Sequence, residues 1–222
     1  MRTRRSFELT FGELPASLPV FPLPGALLLP GQRLPLNIFE PRYLAMVLDA
    51  LAADRHIGMI QPDPAGAAEG PDALYAVGCA GRITAFNETE DGRLLISLKG
   101  VCRFRVGEEI PTIRGYRRVV PSWSDFAADL VEGAAPIDIA SLDPLLERYF
   151  ASEGLEVDWN ALRELRPSVL VDFLSVSLPF SCEEKQALLE APDCGQRASV
   201  IKAILEMSLG DGPHCGAGGT RH

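Results

Sequence analysis

Covalent chemistry in this chain would have to run through very few side chains. The histidines are His56, His214 and His222, and the cysteines are Cys79, Cys102, Cys182, Cys194 and Cys215. A nucleophile needs a base beside it. His56 is the one histidine in patterned sequence, so Cys79 with His56 is the pair that a minor hydrolase would use. A blander role competes, because a His just past a helix interacts favourably with its last carbonyls. No Gly-x-Ser-x-Gly elbow occurs. Lys99, Lys185 and Lys202 are followed by Gly100, Gln186 and Ala203. The Gly-Lys-Ser/Thr of a phosphate-cradling P-loop is therefore missing. The cysteines are odd in number and lack CxxC spacing, so they read as reduced thiols packed as small hydrophobes. The expectation is a non-enzymatic chain with no catalytic residue, no metal and no cofactor.

Arg103, Arg105, Arg114, Arg117 and Arg118 form the strongest basic group. On a strand they could line a phosphate track for RNA. Glu108 and Glu109 interrupt them, and the chain as a whole carries a net charge of −9. Residues 1–122 hold 14 basic against 13 acidic side chains, whereas residues 123–222 hold 7 against 17. Nucleic acid is accordingly not an expected partner. The imbalance also divides the chain into two parts of different character. Glu40 and Arg42 flank a helix start, where an ion pair or a carboxylate favoured by the helix dipole is the ordinary reading. The first residues lack the apolar core of a signal peptide. Apolar runs such as 26–29 are far short of the roughly 20 residues that a membrane helix needs. The chain is expected to be cytoplasmic and not membrane-bound.

The elements that must position these groups can be read from spacing. The 222 residues, 47% apolar and 23% charged, suit one large or two small globular domains. Pro19, Pro22, Pro24, Pro30, Pro35 and Pro41 punctuate the opening. Proline interrupts both ladders and helices, so this region must be short extended pieces joined by turns. Strands are predicted at 20–23 and 33–38, and a helix at 40–54 with Pro41 in its first turn. Leu44, Val47, Leu48 and Leu51 make the buried stripe of that helix, while Tyr43, Met46 and Ala50 form a second apolar strip. A helix apolar on two sides is sandwiched between layers, or leaves one side open for a ligand. A strand at 57–61, a surface loop at 62–71 and a hairpin of 74–86 with 93–106 follow. Asp91-Gly92 supplies its turn, and Gly100 marks a bulge or bend. A closing strand at 116–123 completes a small, partly closed β-barrel.

Beyond Trp123 the period changes to that of helices. Stretches at 142–150, 158–165, 168–178, 181–189 and 195–209 carry it, and Ser181 with Glu184 forms a capping box. The fold expectation is α+β: a flexible arm over 1–14, a β-barrel lobe over 15–123, an all-helical bundle lobe over 124–210 and a Gly-rich disordered tail over 211–222.

Several fragments stand in an order that resembles the N-terminal domain of Lon proteases. They are Phe21-Pro22-Leu23, Pro30-Gly31, Leu34-Pro35-Leu36, Ile38-Phe39-Glu40 and Arg42-Tyr43. Val77–Ile83, Asp91-Gly92-Arg93 and Gly100–Phe104 follow in the hairpin. Leu178-Pro179-Phe180, Glu184–Glu190 and Arg197 close the series. The resemblance spans about residues 15–209. It implies a PUA-like barrel followed by a helical bundle, and a substrate-recognition module without the ATPase and peptidase domains of a full Lon protease. PUA-like folds also occur in RNA-binding proteins, which keeps the Arg103–Arg118 region as an alternative site.

The implied partner is unfolded or exposed apolar polypeptide, within a protease or chaperone system. A binder of many sequences suits an open groove of aromatic and Met side chains that repack around varied ligands. Phe21, Leu23, Phe39, Tyr43 and Met46, near the opening motif, are the candidate binding residues. Ordinary core packing is the competing reading for each of them.

Overall fold

The computed structural model describes residues 10–68, 73–131 and 137–210. Its β structure is one six-stranded sheet of β1 (Leu18–Pro22), β2 (Arg33–Ile38), β3 (His56–Ile60), β4 (Val77–Glu88), β5 (Leu94–Ile110) and β6 (Arg117–Ser122), with α1 (Pro41–Ala52) between β2 and β3. The order is β2-β5-β4-β3-β1-β6, and β5 pairs β6 as well. That extra pairing closes β5, β4, β3, β1 and β6 into a small barrel and leaves β2 outside as an edge strand. All pairings are antiparallel except β1 with β3.

Closure requires β5 to bend. Its first half pairs with β2 and its second half with β6, while β4 follows it along most of its length. The β4–β5 register slips between Ala80 and Gly81, opposite Cys102 and Gly100. Gly100 N–H donates to Gln32 O and Gly100 O accepts from Gly31 N–H, both at 2.9 Å. A Cβ at this position would lie 2.0 Å from Leu29 O. The expected bend at Gly100 is therefore a bulge against which another backbone packs directly. The barrel interior is filled by Phe104, fully buried, where Gly58 and Gly78 leave it room. Trp123 lies edge-on to Phe104, at 5.9 Å between centroids.

The prolines of the opening sit where the ladder does not need their N–H. β1 pairs with β6 through Leu18–Val20 and with β3 through Val20–Pro22, so only Val20 has a strand on both sides. The β4–β5 turn has Gly92 at φ +77°, the left-handed conformation that Asp-Gly anticipates.

Five further helices follow: α2 (Asp143–Ser152), α3 (Trp159–Glu164), α4 (Pro167–Ser177), α5 (Cys182–Glu190) and α6 (Cys194–Gly210). The capping box at Ser181 is present. Ser181 N–H donates to Glu184 Oε2 at 2.7 Å, and Glu184 N–H donates to Ser181 Oγ at 3.1 Å.

The chain divides into two units, Met1–Gly133 with Pro179–Glu190, and Ala134–Leu178 with Ala191–His222. The linear boundary expected at 123/124 is corrected by this division. The 3₁₀ segment Ser124–Leu130 and α5 belong with the barrel, because long-range polar contacts hold them there. Gln61 is buried on the barrel and donates to Cys182 O at 3.0 Å and to Gln186 Oε1 at 3.2 Å. Gln186 in turn donates to Val77 O at 3.1 Å. In the second unit α6 packs on α2 and α4, and Arg197 pairs with Asp172 at 2.8 Å with both largely buried. Part of the expected arm forms a 3₁₀ turn at Phe11–Glu13. The rest of the arm, 1–9, and the tail at 211–222 lie outside the described residues.

Gly100→Ala should lower stability by about 1–3 kcal/mol or more, the cost of overpacking against a backbone that cannot yield. A urea midpoint shifted down with an unchanged slope would confirm it, whereas an unchanged midpoint would refute the close approach.

Candidate functional site

The helix α1 follows directly on the edge strand and carries the residues in question. Its buried face is Tyr43, Met46, Val47 and Ala50, which packs on β1 and β3. The ring of Phe21, from β1, lies 4.2 Å from that of Tyr43. Asp49 fixes one flank, accepting from the Tyr116 hydroxyl at 2.8 Å and pairing with Arg114 at 3.1 Å. Leu44 and Leu51 remain half-buried, and Leu48 is 54% exposed.

This corrects the stripe expected to be buried. Of Leu44, Val47, Leu48 and Leu51, only Val47 is in the core, and the strip of Tyr43, Met46 and Ala50 takes the inner position. The Tyr43 ring meets Phe21 of β1, so this side of the helix faces the sheet and the leucines turn outward.

The five candidate binding residues consequently separate. Met46 is 0% exposed, and Tyr43 and Phe21 are buried beside it. Tyr43 and Met46 are on the inward face of α1, and Phe21 meets that face from β1. Leu23 is half-buried, and its N–H continues the β1–β3 ladder to Ile60 O at 3.0 Å. Phe39 is 61% exposed. It stands at N′ of α1 and Leu44 at N4, the two positions of a hydrophobic staple. The guanidinium of Arg93 lies 5.8 Å from the Phe39 ring centroid. Glu40 and Arg42 form the expected ion pair, at 2.9 Å. Phe86 and Leu95 are also exposed, and both lie toward the β4–β5 turn, the end of the sheet where β2 runs into Phe39. Sequence reasoning missed Leu48, Phe86 and Leu95. The strict alternation of β5 was the available signal for Leu95, since Leu94 and Ile96 face in.

The other readings lose their geometry. Met59 pairs with Cys79 and His56 with Arg82. The Cys79–His56 pair is thus offset by three residues, about 10 Å along a strand, and the two side chains point to opposite faces. Burial pushes the Cys79 thiol well up and the Cys102 thiol up to about 12, the reverse of nucleophile activation. Among the described residues, no group of three His, Cys, Asp or Glu is placed to hold a metal ion. No described helix is long and apolar enough to cross a membrane.

All five arginines of the basic group are engaged within the chain. Arg103 is buried, and its Nε and Nη2 donate to the two Asp129 oxygens at 2.9 and 2.8 Å. Its Nη1 donates to Leu189 O at 3.0 Å. Arg105 pairs with Asp125 at 3.1 Å and Arg117 with Glu109 at 2.7 Å. Arg114 is held by Asp49, and Arg118 donates to Ser17 Oγ at 2.9 Å. Arg117 holds the Glu109 carboxyl below the usual range. The second unit contains a cleft of about 320 Å³ between α2, α3 and the start of α4, with Trp159 and Leu162 in its walls.

The small closed barrel of the first unit has a PUA-like fold. A model of the ATP-dependent protease La (LON) substrate-binding domain matches residues 17–206, and the chain belongs to that family. It is similar to the Lon protease of Syntrophus aciditrophicus, 27% identical over 212 residues, which cover 89% of this chain and 26% of that protein. For the Lon protease of Flavobacterium johnsoniae the identity is 28% over 216 residues, with 91% and 25% covered. The chain thus spans about a quarter of the length of these relatives. The crystal structure of a Lon N-terminal domain protein from Xanthomonas campestris superposes with a TM-score of 0.60 at 27% identity, covering 84% of this chain and 97% of that one. The N-terminal domain of a Mycobacterium avium complex Lon protease shares the fold, with a TM-score of 0.57 at 19% identity and 88% and 99% covered.

His56 does not cap α1 as expected. It begins β3, is 3% exposed, and neither ring nitrogen has a hydrogen-bond partner, although Asp54 Oδ1 lies 3.5 Å from Nδ1. Burial lowers its pKa below 6.5, Asp54 opposes that shift, and the charge of Arg82 adds to it. The unfolded chain therefore binds this proton more readily than the folded one. Stability should be full above about pH 6.5 and fall as pH drops through the folded value. A urea midpoint that declines between about pH 7.5 and pH 5.5, with the decline reduced in His56→Phe, checks this. Equal slopes in both proteins would refute it.

Removing Arg103 should leave Asp129 buried and unpaired. Arg103→Ala is expected to cost about 3–5 kcal/mol, read as a lowered urea midpoint. An unchanged midpoint would show that the pair is not structural.

Proposed function

We propose that this chain recognises exposed apolar segments of non-native polypeptide within a protease system, and breaks no bonds itself. One observation carries the reading. An apolar strip on α1, centred on Leu48 with Leu44 and Leu51 beside it, faces outward and leads to the exposed Phe39. Exposed aromatic and aliphatic groups held on a rigid element mark binding surfaces. Folded proteins keep such side chains inside, so a surface of this kind selects unfolded ones without reading their sequence.

The energetics suit transient capture. Covering a few hundred Å² contributes several kcal/mol at roughly 25 cal/mol per Å², before the cost of ordering the ligand. The balance is an affinity in the micromolar range or weaker. The chain supplies no P-loop, so any ATP-driven step belongs to other domains or subunits. Of the residues expected to bind, Phe39 and Leu23 offer surface, while Phe21, Tyr43 and Met46 hold the shape that presents them.

Titration with a fluorescent, permanently unfolded model polypeptide tests this, with labelled RNA in parallel. Phe39→Ser and Leu48→Ser should weaken polypeptide binding about tenfold while leaving the unfolding free energy, read from urea titration, within about 0.5 kcal/mol. Met46→Ala should do the opposite and cost about 2–5 kcal/mol of stability. Salt-sensitive RNA binding without polypeptide binding would overturn the reading.

A further inference from the structure

We propose that the free edge of β2 receives an extended segment of non-native polypeptide as an added strand, an inference that rests on the polypeptide-recognition reading above. β2 is the last strand in the order, with β5 on one side and no strand on the other among the described residues. Which main-chain groups face that open side follows from hydrogen bonds at the two ends of the β5 ladder. Gly100 N–H donates to Gln32 O, towards β2, and Arg93 O accepts from Thr89 N–H, towards β4, at 3.0 Å. An antiparallel ladder alternates residues bonded to one neighbour with residues bonded to the other. The even-numbered Leu94, Ile96 and Leu98 therefore bond to β2. Their partners are Ile38, Leu36 and Leu34. Arg33, Pro35 and Asn37 turn their main-chain groups outward. Pro35 agrees independently, because it sits where no N–H is owed to β5.

The open edge thus offers the carbonyls of Arg33, Pro35 and Asn37 and the N–H groups of Arg33 and Asn37. The side chains of these three are exposed, while Leu34 and Leu36 are half-buried on the other face. An added strand would lay alternate side chains beside Leu34 and Leu36 and run on to Phe39. The main chain is the one feature every unfolded polypeptide shares, so an edge of this kind binds without regard to sequence. The adjacent leucines and Phe39 add a preference for apolar segments. The donor missing at Pro35 keeps the ladder short and disfavours a second copy as occupant, since two such edges would bring two prolines into one small ladder.

The test uses the full chain, a short alternating Val/Thr/Phe peptide, and the same peptide N-methylated along its backbone. Amide exchange at Arg33 and Asn37 should slow on saturation, with Leu34 and Leu36 unchanged. The methylated peptide should bind at least about tenfold more weakly, and so should the parent peptide to Asn37→Pro, whereas Asn37→Ala should bind normally. Equal binding of both peptides without slowing at Arg33 and Asn37 would overturn the edge site and leave the recognition reading standing. No binding of either peptide would overturn both. Slowing at Arg33 and Asn37 that depends on protein concentration alone would assign the edge to a second copy and overturn the proposal.

Discussion

Arg103 brings a full charge into the body of the barrel unit, and the arrangement of that unit depends on how the charge is met. Asp129 takes two of its N–H groups and also accepts the Arg103 main-chain N–H at 2.9 Å, while Leu189 O takes a third side-chain N–H. The guanidinium lies 4.8 Å from the centroid of the Phe126 ring. Burial works against the charge on Arg103, and the hydrogen bonds and charge of Asp129 outweigh it. An ion pair so buried adds little net stability against apolar residues of equal volume, but leaving one partner alone is costly. Its effect is therefore on specificity of arrangement. It forces the segment after β6 and the end of α5 to meet at one point on β5, and no looser packing satisfies all three.

On this barrel, α1 packs by one of its two apolar strips. Its aromatic and Met face is taken by β1 and β3, Asp49 holds its flank through Tyr116 and Arg114, and its leucine strip is left outside. A surface helix normally spends its apolar residues on the core. Here the same short helix carries two apolar strips and the core takes one. The surplus strip is the surface on which the proposed recognition rests.

Much of this architecture was legible in the residues themselves. β2 matched its predicted range because Pro30-Gly31 and Pro41 bracket an apolar alternation. The β4–β5 turn was legible because Asp-Gly demands one conformation, and the Ser181 capping box because its hydrogen bonds are local. The α1 assignment failed in orientation, since two strips of equal hydropathy differ only in what packs against them. Arg103 looked like its exposed neighbour Arg105, because nothing in a strand marks which arginine meets a buried acid 26 residues later. The place of α5 was equally hidden. Its amphipathic pattern fits either unit, and only Gln61 and Gln186 decide. The candidate site was legible as a neighbourhood, around the start of α1, but the exposed members had to be found by packing.

The discontinuity of the barrel unit has a consequence for the order in which it can be finished. The ribosome delivers β1 to β6 first, then the three helices α2, α3 and α4, and only afterwards α5. Until that last helix emerges, the side-chain amide of Gln61 and one N–H of Arg103 have no main-chain carbonyl to meet. A nascent barrel must therefore wait, incompletely satisfied, while a whole excursion of helical chain is synthesised. The barrel unit thus passes through an unfinished state of its own before α5 completes it.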